Sequence, residues 1–143
     1  MGIIREMEYY DVPTYNAIRN DSREYLHNNT HYTLQESYDW FRKKTDPFFM
    51  YEIDSEVIGY FRTSNWTNKT CYVGMDIHQD YRGQHLAYNA YVEFLNFLDT
   101  LYGIERVQLE VLKTNTRALN LYTKLNFETI RENERSFIME RKL

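Results

Sequence analysis

The chain has 143 residues, a formal net charge of −4, 17% aromatic residues and a single cysteine. That length fits one domain with a proper core, so 1–143 is read as a single domain; the acidic balance excludes a global basic field that would recruit nucleic acid or anionic lipid. The lone Cys71 excludes an internal disulfide, no apolar run reaches the roughly 20 residues of a membrane span, and MGIIREMEYY lacks the apolar core of a secretory signal, so a cytoplasmic monomer or homodimer is expected.

In chain order, Ile3 to Met7 read as a first strand, and a helix is expected from Asp11 with Pro13 in its first turn. Thr33-Leu-Gln-Glu36 has capping-box spacing ahead of a second helix carrying Tyr38, Trp40 and Phe41. Three β-rich runs follow, Phe48 to Ile53, Val57 to Thr63 and Thr70 to His78, separated by short polar stretches. The period then changes. Leu86, Ala90, Phe94, Phe97, Leu98 and Leu101 fall at helical spacing, and Gly103 marks the stop. Val107, Leu109 and Val111 alternate as a strand, Asn115 caps a last helix, and Phe127 to Ile130 and Ser136 to Glu140 close the chain as strands. The order β-α-α-β-β-β-α-β-α-β-β is a mixed α/β domain whose strand-helix-strand unit, 70–112, crosses over right-handedly.

Chemistry concentrates where the third β-run meets the long helix, in DIHQDYRGQHLAYNAY (76–91). The first N–H groups of a helix lack internal partners and carry partial positive charge, which suits phosphate. Gly83 removes the Cβ that would hold an anion away, and Arg82 offers a guanidinium that forks onto phosphate oxygens. Taken alone, this pair also reads as an ordinary turn glycine beside a solvated arginine.

A second stretch, LEVLKTNTRALNLYTKLNFE (109–128), lies one strand further on. Together the two segments resemble the GNAT acetyltransferase family. There an Arg-Gly-x-Gly-x-Gly/Ala turn wraps the acetyl-CoA diphosphate, and a downstream Asn-x-x-Ala-x-x-x-Tyr-x-x-x-Gly-Phe segment lines the pantetheine and thioester. Arg82, Gly83 and Ala87 match the turn; Asn115, Ala118, Tyr122 and Phe127 match the segment. His85 stands at the turn's second glycine, where its Cβ crowds the approach to phosphate while its imidazole could donate to one, and Asn126 stands at the glycine before Phe, a position its side chain tolerates.

The resemblance implies a central, mostly antiparallel sheet of six to seven strands with about four helices. It also implies a splayed parallel pair, 70–78 and 105–112. Acetyl-CoA is the implied donor, with no metal. Ile77 and His78 at the strand end, then Arg82, Gly83, Gln84 and His85, then Leu86, Ala87 and Tyr88, form the implied binding turn. Asn115, Ala118 and Tyr122 face it from the last helix. Tyr122 is the implied partner of the departing sulfur. Glu110, directed opposite to Leu109 and Val111, is the candidate general base, with burial expected to raise its pKa. Asp76 and His78 are its rivals.

The acceptor wall is sought in 19–41, where Arg19, Arg23, Tyr25 and Trp40 suit a phosphate or a stacked base, with Asp76 nearby, and where each of the four also reads as an ordinary surface or core residue of a helical hairpin. A small amine such as a nucleotide-linked amino sugar is the preferred acceptor. The alternatives are a protein N-terminal α-amine, as in the ribosomal-protein acetyltransferases, and a non-catalytic CoA-binding module. HNNTH places His27 and His31 four apart, but its poor helix formers read as a solvated loop rather than a metal pair.

Overall fold

A computed structural model describes residues 2–83 and 85–143, and these form seven strands and four helices. β1 (Ile3–Glu6) is followed by α1 (Val12–Asp21) and α2 (Leu34–Lys43). Next come β2 (Phe49–Ile53), β3 (Glu56–Ser64) and β4 (Thr70–Ile77). α3 (Leu86–Tyr102), β5 (Arg106–Leu112), α4 (Thr116–Lys124), β6 (Glu128–Glu132) and β7 (Ser136–Lys142) complete the chain.

The local signals act as the sequence predicts. The Thr33 side chain accepts the Glu36 N–H while the Glu36 carboxylate accepts the Thr33 N–H, which closes the capping box of α2. Asn115 caps α4 by accepting the Ala118 N–H at 3.2 Å. Gly103 ends α3 in the left-handed region at φ +64°, and Asn126 ends α4 in the same region at φ +66°.

One sheet of order β1-β2-β3-β4-β5-β7-β6 organises these elements, antiparallel except where β4 meets β5. Both faces are covered by core. On one face Phe49, Phe61, Phe94, Leu98, Leu109 and Leu125 form a cluster with α3 and α4. Phe61 and Phe94 stack there at 3.9 Å between centroids. On the other, Val12, Tyr15 and Ile18 of α1 pack with Met50 and Tyr60.

The parallel pair is short. Residue pairing runs only from Thr70, Cys71 and Tyr72 to Arg106, Val107 and Gln108. Beyond Tyr72, β4 stays with β3 as far as Ile77, and beyond Gln108, β5 stays with β7 as far as Leu112. The two strands therefore part, and a gap opens in mid-sheet. Backbone groups that face such a gap have no ladder partner across it.

Candidate active site

A cavity of about 660 Å³ opens at this gap. Tyr25, Leu26 and His27 line it from the segment after α1. The strands contribute Arg62, Met75, Asp76, Ile77, Glu110 and Val111. From beyond the sheet come Gly83, His85, Leu86, Ala87 and Tyr91 of the β4–α3 connection and α3, with Asn115, Ala118 and Tyr122 at α4. Four cationic side chains, Arg62, Arg82, Arg117 and Lys124, border it against two carboxylates, Asp76 and Glu110. In a chain of net charge −4 this is a local reversal of sign that suits an anionic ligand.

The β4–α3 connection bends before the helix starts. A single 3-10 turn, Gln79–Tyr81, precedes the bend, and α3 begins only at Leu86. Gly83 adopts φ +76° and His85 φ +60°. His85 thus takes the left-handed conformation that a glycine supplies freely, and histidine is among the side chains that visit it most readily. Gln84 lies outside the described residues. A Cβ at Gly83 would stand 3.7 Å from Arg117 Nη2, so the bend faces the start of α4.

Arg82 is not the free fork that its sequence position suggests. Its Nε donates to the Ile77 carbonyl at 3.1 Å and its Nη2 to Ser22 Oγ at 2.9 Å, while the guanidinium lies over the Tyr25 ring. It ties the bend to the end of α1 and keeps its charge at the cavity wall. His78 turns away: its Nδ1 accepts the Asp80 N–H at 3.1 Å, and it does not line the cavity. Tyr88 is also outside, 41% exposed on α3.

Tyr122 projects from α4 toward Tyr91 of α3. Their rings meet edge to face at 5.6 Å, and their hydroxyl oxygens are 3.2 Å apart. Burial raises the Tyr122 hydroxyl above its ordinary pKa, against the hydrogen bond from Tyr91 and the charge of Arg62, which lower it. Burial drives Tyr91 well above as well. Either hydroxyl can donate in this pair; in the arrangement where Tyr91 donates, the Tyr122 proton is left to point at a ligand.

On the opposite face of the sheet Asp76, with a side chain 4% exposed, accepts the Tyr60 hydroxyl and pairs with Arg62 Nε at 3.3 Å. That Nε contact lacks hydrogen-bond geometry, and Arg62 Nε is the buried polar side-chain atom left without a hydrogen bond among the described residues. The guanidinium rests where Gly74 has no side chain: an added Cβ would lie 2.6 Å from Arg62 Cζ.

Glu110 corrects one expectation. Its carboxyl is held below its ordinary pKa, not above it. The Ser136 hydroxyl contributes most, burial works the other way, and His27 and Asn133 add to the lowering. Ser136 Oγ donates to Glu110 Oε2, His27 Nε2 lies 3.2 Å from the same oxygen, and Asn133 Nδ2 is at 3.5 Å. Three donors outweigh partial desolvation.

Arg19, Arg23 and Trp40 lie away from this cavity. Arg19 is buried and donates to the carbonyls of Asn28 at 2.6 Å and Thr30 at 3.0 Å, bracing the segment between α1 and α2. Trp40 stacks on Tyr15 at 4.5 Å within the second core. Arg62, Tyr91 and Ser136 carry no signal in the sequence, and His27 reads there as a loop residue, because their roles arise from pairings between distant segments.

The sequence model of the acetyltransferase (GNAT) family matches residues 14–127. No curated protein matches the sequence significantly. Among solved structures, spermidine N-acetyltransferase from Vibrio cholerae in complex with CoA and spermine superposes with a TM-score of 0.87 at 16% identity, over 99% of this chain and 95% of that one. A domain from Methanocaldococcus jannaschii gives 0.86 at 19% identity, over 100% and 99%. Ribosomal-protein-alanine N-acetyltransferase from Brucella melitensis gives 0.78 at 17% identity, over 99% of each chain. At such identities the superpositions establish the fold; the sequence match extends to both motifs and to the helices and strands that carry them. The chain belongs to the GNAT family of acetyltransferases, acyltransferases that use acetyl-CoA as donor.

Proposed function

We propose that the protein transfers the acetyl group of acetyl-CoA directly to a primary amine, with Tyr122 serving the sulfur. In this reading Gly83, His85, Leu86 and Ala87 hold the diphosphate at the start of α3, where unpaired amides and the helix dipole favour an anion. Asn115 and Ala118 flank the pantetheine, and the thioester lies in the gap between β4 and β5. The observation that carries this reading is the Tyr122 hydroxyl, 3.2 Å from Tyr91 and lining a cavity that runs through that gap. Because burial raises its pKa, Tyr122 stays protonated and acts as a donor to charge growing on sulfur. Full proton transfer from an ordinary tyrosine to a thiolate is already uphill by about 2 kcal/mol. The hydrogen bond suffices. Holding amine and thioester together across the gap supplies orientation as well.

For the acceptor, the reading favours a small amine that also carries an anionic group, such as a nucleotide-linked amino sugar. Arg62 supports this with a guanidinium at the cavity wall, and Tyr25, 46% exposed, supplies a ring for stacking. A thiol-release screen with acetyl-CoA against amino sugars, sugar nucleotides, polyamines and N-terminal peptides tests it. The sugar nucleotide should give the highest kcat/KM. A peptide in first place would move the acceptor to a protein α-amine, and CoA binding without thiol release from any amine would make the protein a binding module.

A further inference from the structure

We infer that His27 takes the proton from the acceptor amine, and that Glu110 is the carboxylate that orients it. This rests on the acetyl-transfer reading above and assigns the base within it. His27 reads in the sequence as part of a solvated loop, yet the fold carries it to the cavity wall beside Glu110, with Nε2 3.2 Å from Oε2. A carboxylate at that distance fixes the ring as the Nε2–H tautomer and leaves the Nδ1 lone pair as the basic site. It also stabilises the imidazolium that forms when a proton arrives, as a carboxylate does for any paired catalytic histidine.

Both partners are held in place. Ser136 and Asn133 donate to the same Glu110 oxygen, Oε2, so the carboxylate is kept ionised and its position is fixed. These donors make Glu110 a weaker proton acceptor than a free carboxylate while suiting it to orient a neighbour. On the histidine side, Arg19 donates to the carbonyl of the next residue, Asn28, at 2.6 Å and to that of Thr30 at 3.0 Å. Asn20 holds Tyr32 from both its backbone groups, accepting the N–H at 2.9 Å and donating to the carbonyl at 2.8 Å. Arg19 and Asn20 thus brace the segment that carries His27.

The rivals are occupied. Asp76 accepts the Tyr60 hydroxyl and faces Arg62, and the His78 Nδ1 lone pair already accepts an amide. In the step itself, the amine nitrogen bonds to the thioester carbon and its proton passes to His27 Nδ1. The C–S electron pair leaves with sulfur as a thiolate hydrogen-bonded by Tyr122. The thiolate takes a proton from water, and the imidazolium returns its own to solvent.

The test joins kinetics to a readout that needs no turnover. With an amine that the wild-type protein acetylates, His27→Ala should lower kcat about 100-fold or more with the acetyl-CoA KM unchanged. Free imidazole should restore part of that loss, and should not stimulate Tyr122→Phe. Independently, nitrogen NMR of histidine-labelled protein, assigned by comparison with His27→Gln, should show the Nε2–H tautomer at His27 and its loss in Glu110→Ala, which removes the acceptor oxygen. Turnover within threefold of wild type in His27→Ala would overturn the inference, as would a loss that imidazole leaves untouched or an Nδ1–H tautomer in the wild-type spectrum. Absence of acetyl transfer by the wild-type protein to every amine would instead overturn the reading on which the inference rests, whatever the tautomer.

Discussion

Replacing Tyr122 by phenylalanine removes one oxygen and leaves the ring. The ring contacts with Tyr91 at 5.6 Å and Phe127 at 5.8 Å persist, so the cavity wall keeps its shape and acetyl-CoA affinity should stay within about twofold. Two things are lost. The Tyr91 hydroxyl, in a ring 1% exposed, loses its partner at 3.2 Å, which costs about 1 kcal/mol of stability. For a domain of this size that is a fall in Tm of about 4 °C. The developing thiolate loses a hydrogen bond to a charged acceptor, worth about 1.5–3 kcal/mol, so kcat should fall between about 10- and 150-fold. Single-turnover thiol release gives the rate, calorimetric titration with CoA gives the affinity, and a thermal melt gives the stability. A variant that binds CoA tenfold more weakly while turning over saturating substrate normally would show that the hydroxyl serves packing and binding, and would refute the assignment.

Three further outcomes follow from particular residues. Gly74→Ala places a methyl 2.6 Å from Arg62 Cζ and 2.8 Å from Nη1, so the flexible guanidinium must move off the wall. The protein should stay folded by circular dichroism while the acceptor KM rises several-fold; an unchanged KM would remove Arg62 from the acceptor site. His85→Gly relieves a side chain held at φ +60° and frees the approach to phosphate, so CoA should bind more tightly in a calorimetric titration. Weaker binding would make the imidazole itself a phosphate ligand. Glu110→Gln bears on pH: because the folded carboxyl has a lowered pKa, its pairing stabilises the protein above the ordinary carboxylate range and is lost as pH falls through the folded value. Wild type should therefore exceed the variant in denaturant midpoint at pH 7, and the difference should vanish in acid, below both values. A difference that grew in acid would contradict the sign.

What was legible in the sequence was local or carried by a motif. Thr33, Gly103 and Asn115 sit at helix ends whose signals span three or four residues, and each acts as read. Strand alternation correctly turned Glu110 away from the core that holds Leu109 and Val111. It could not reveal what waits on that face, because Ser136 arrives on β7 and His27 on a segment after α1. The same limit hid Arg62, whose seat depends on β3 pairing it opposite Gly74, and Tyr91, whose hydroxyl meets Tyr122 only once α3 and α4 pack. Arg82 is a candidate by its place in the Arg-Gly turn and Arg19 by its place in the 19–41 segment. Carbonyls and a hydroxyl engage both of them, and no pattern along the chain announces such partners. The bend before α3 holds positive φ angles at Gly83 and His85, and only the glycine announces its angle by residue type.

The central claim is that the bend before α3 grips a diphosphate and thereby aims a thioester at Tyr122. A crystal structure of the protein with CoA tests it most directly. The diphosphate should lie on the amides of Gly83, His85, Leu86 and Ala87, with the CoA sulfur in the gap between β4 and β5, within hydrogen-bonding reach of the Tyr122 hydroxyl. A diphosphate bound elsewhere, or a sulfur remote from Tyr122, would contradict the account.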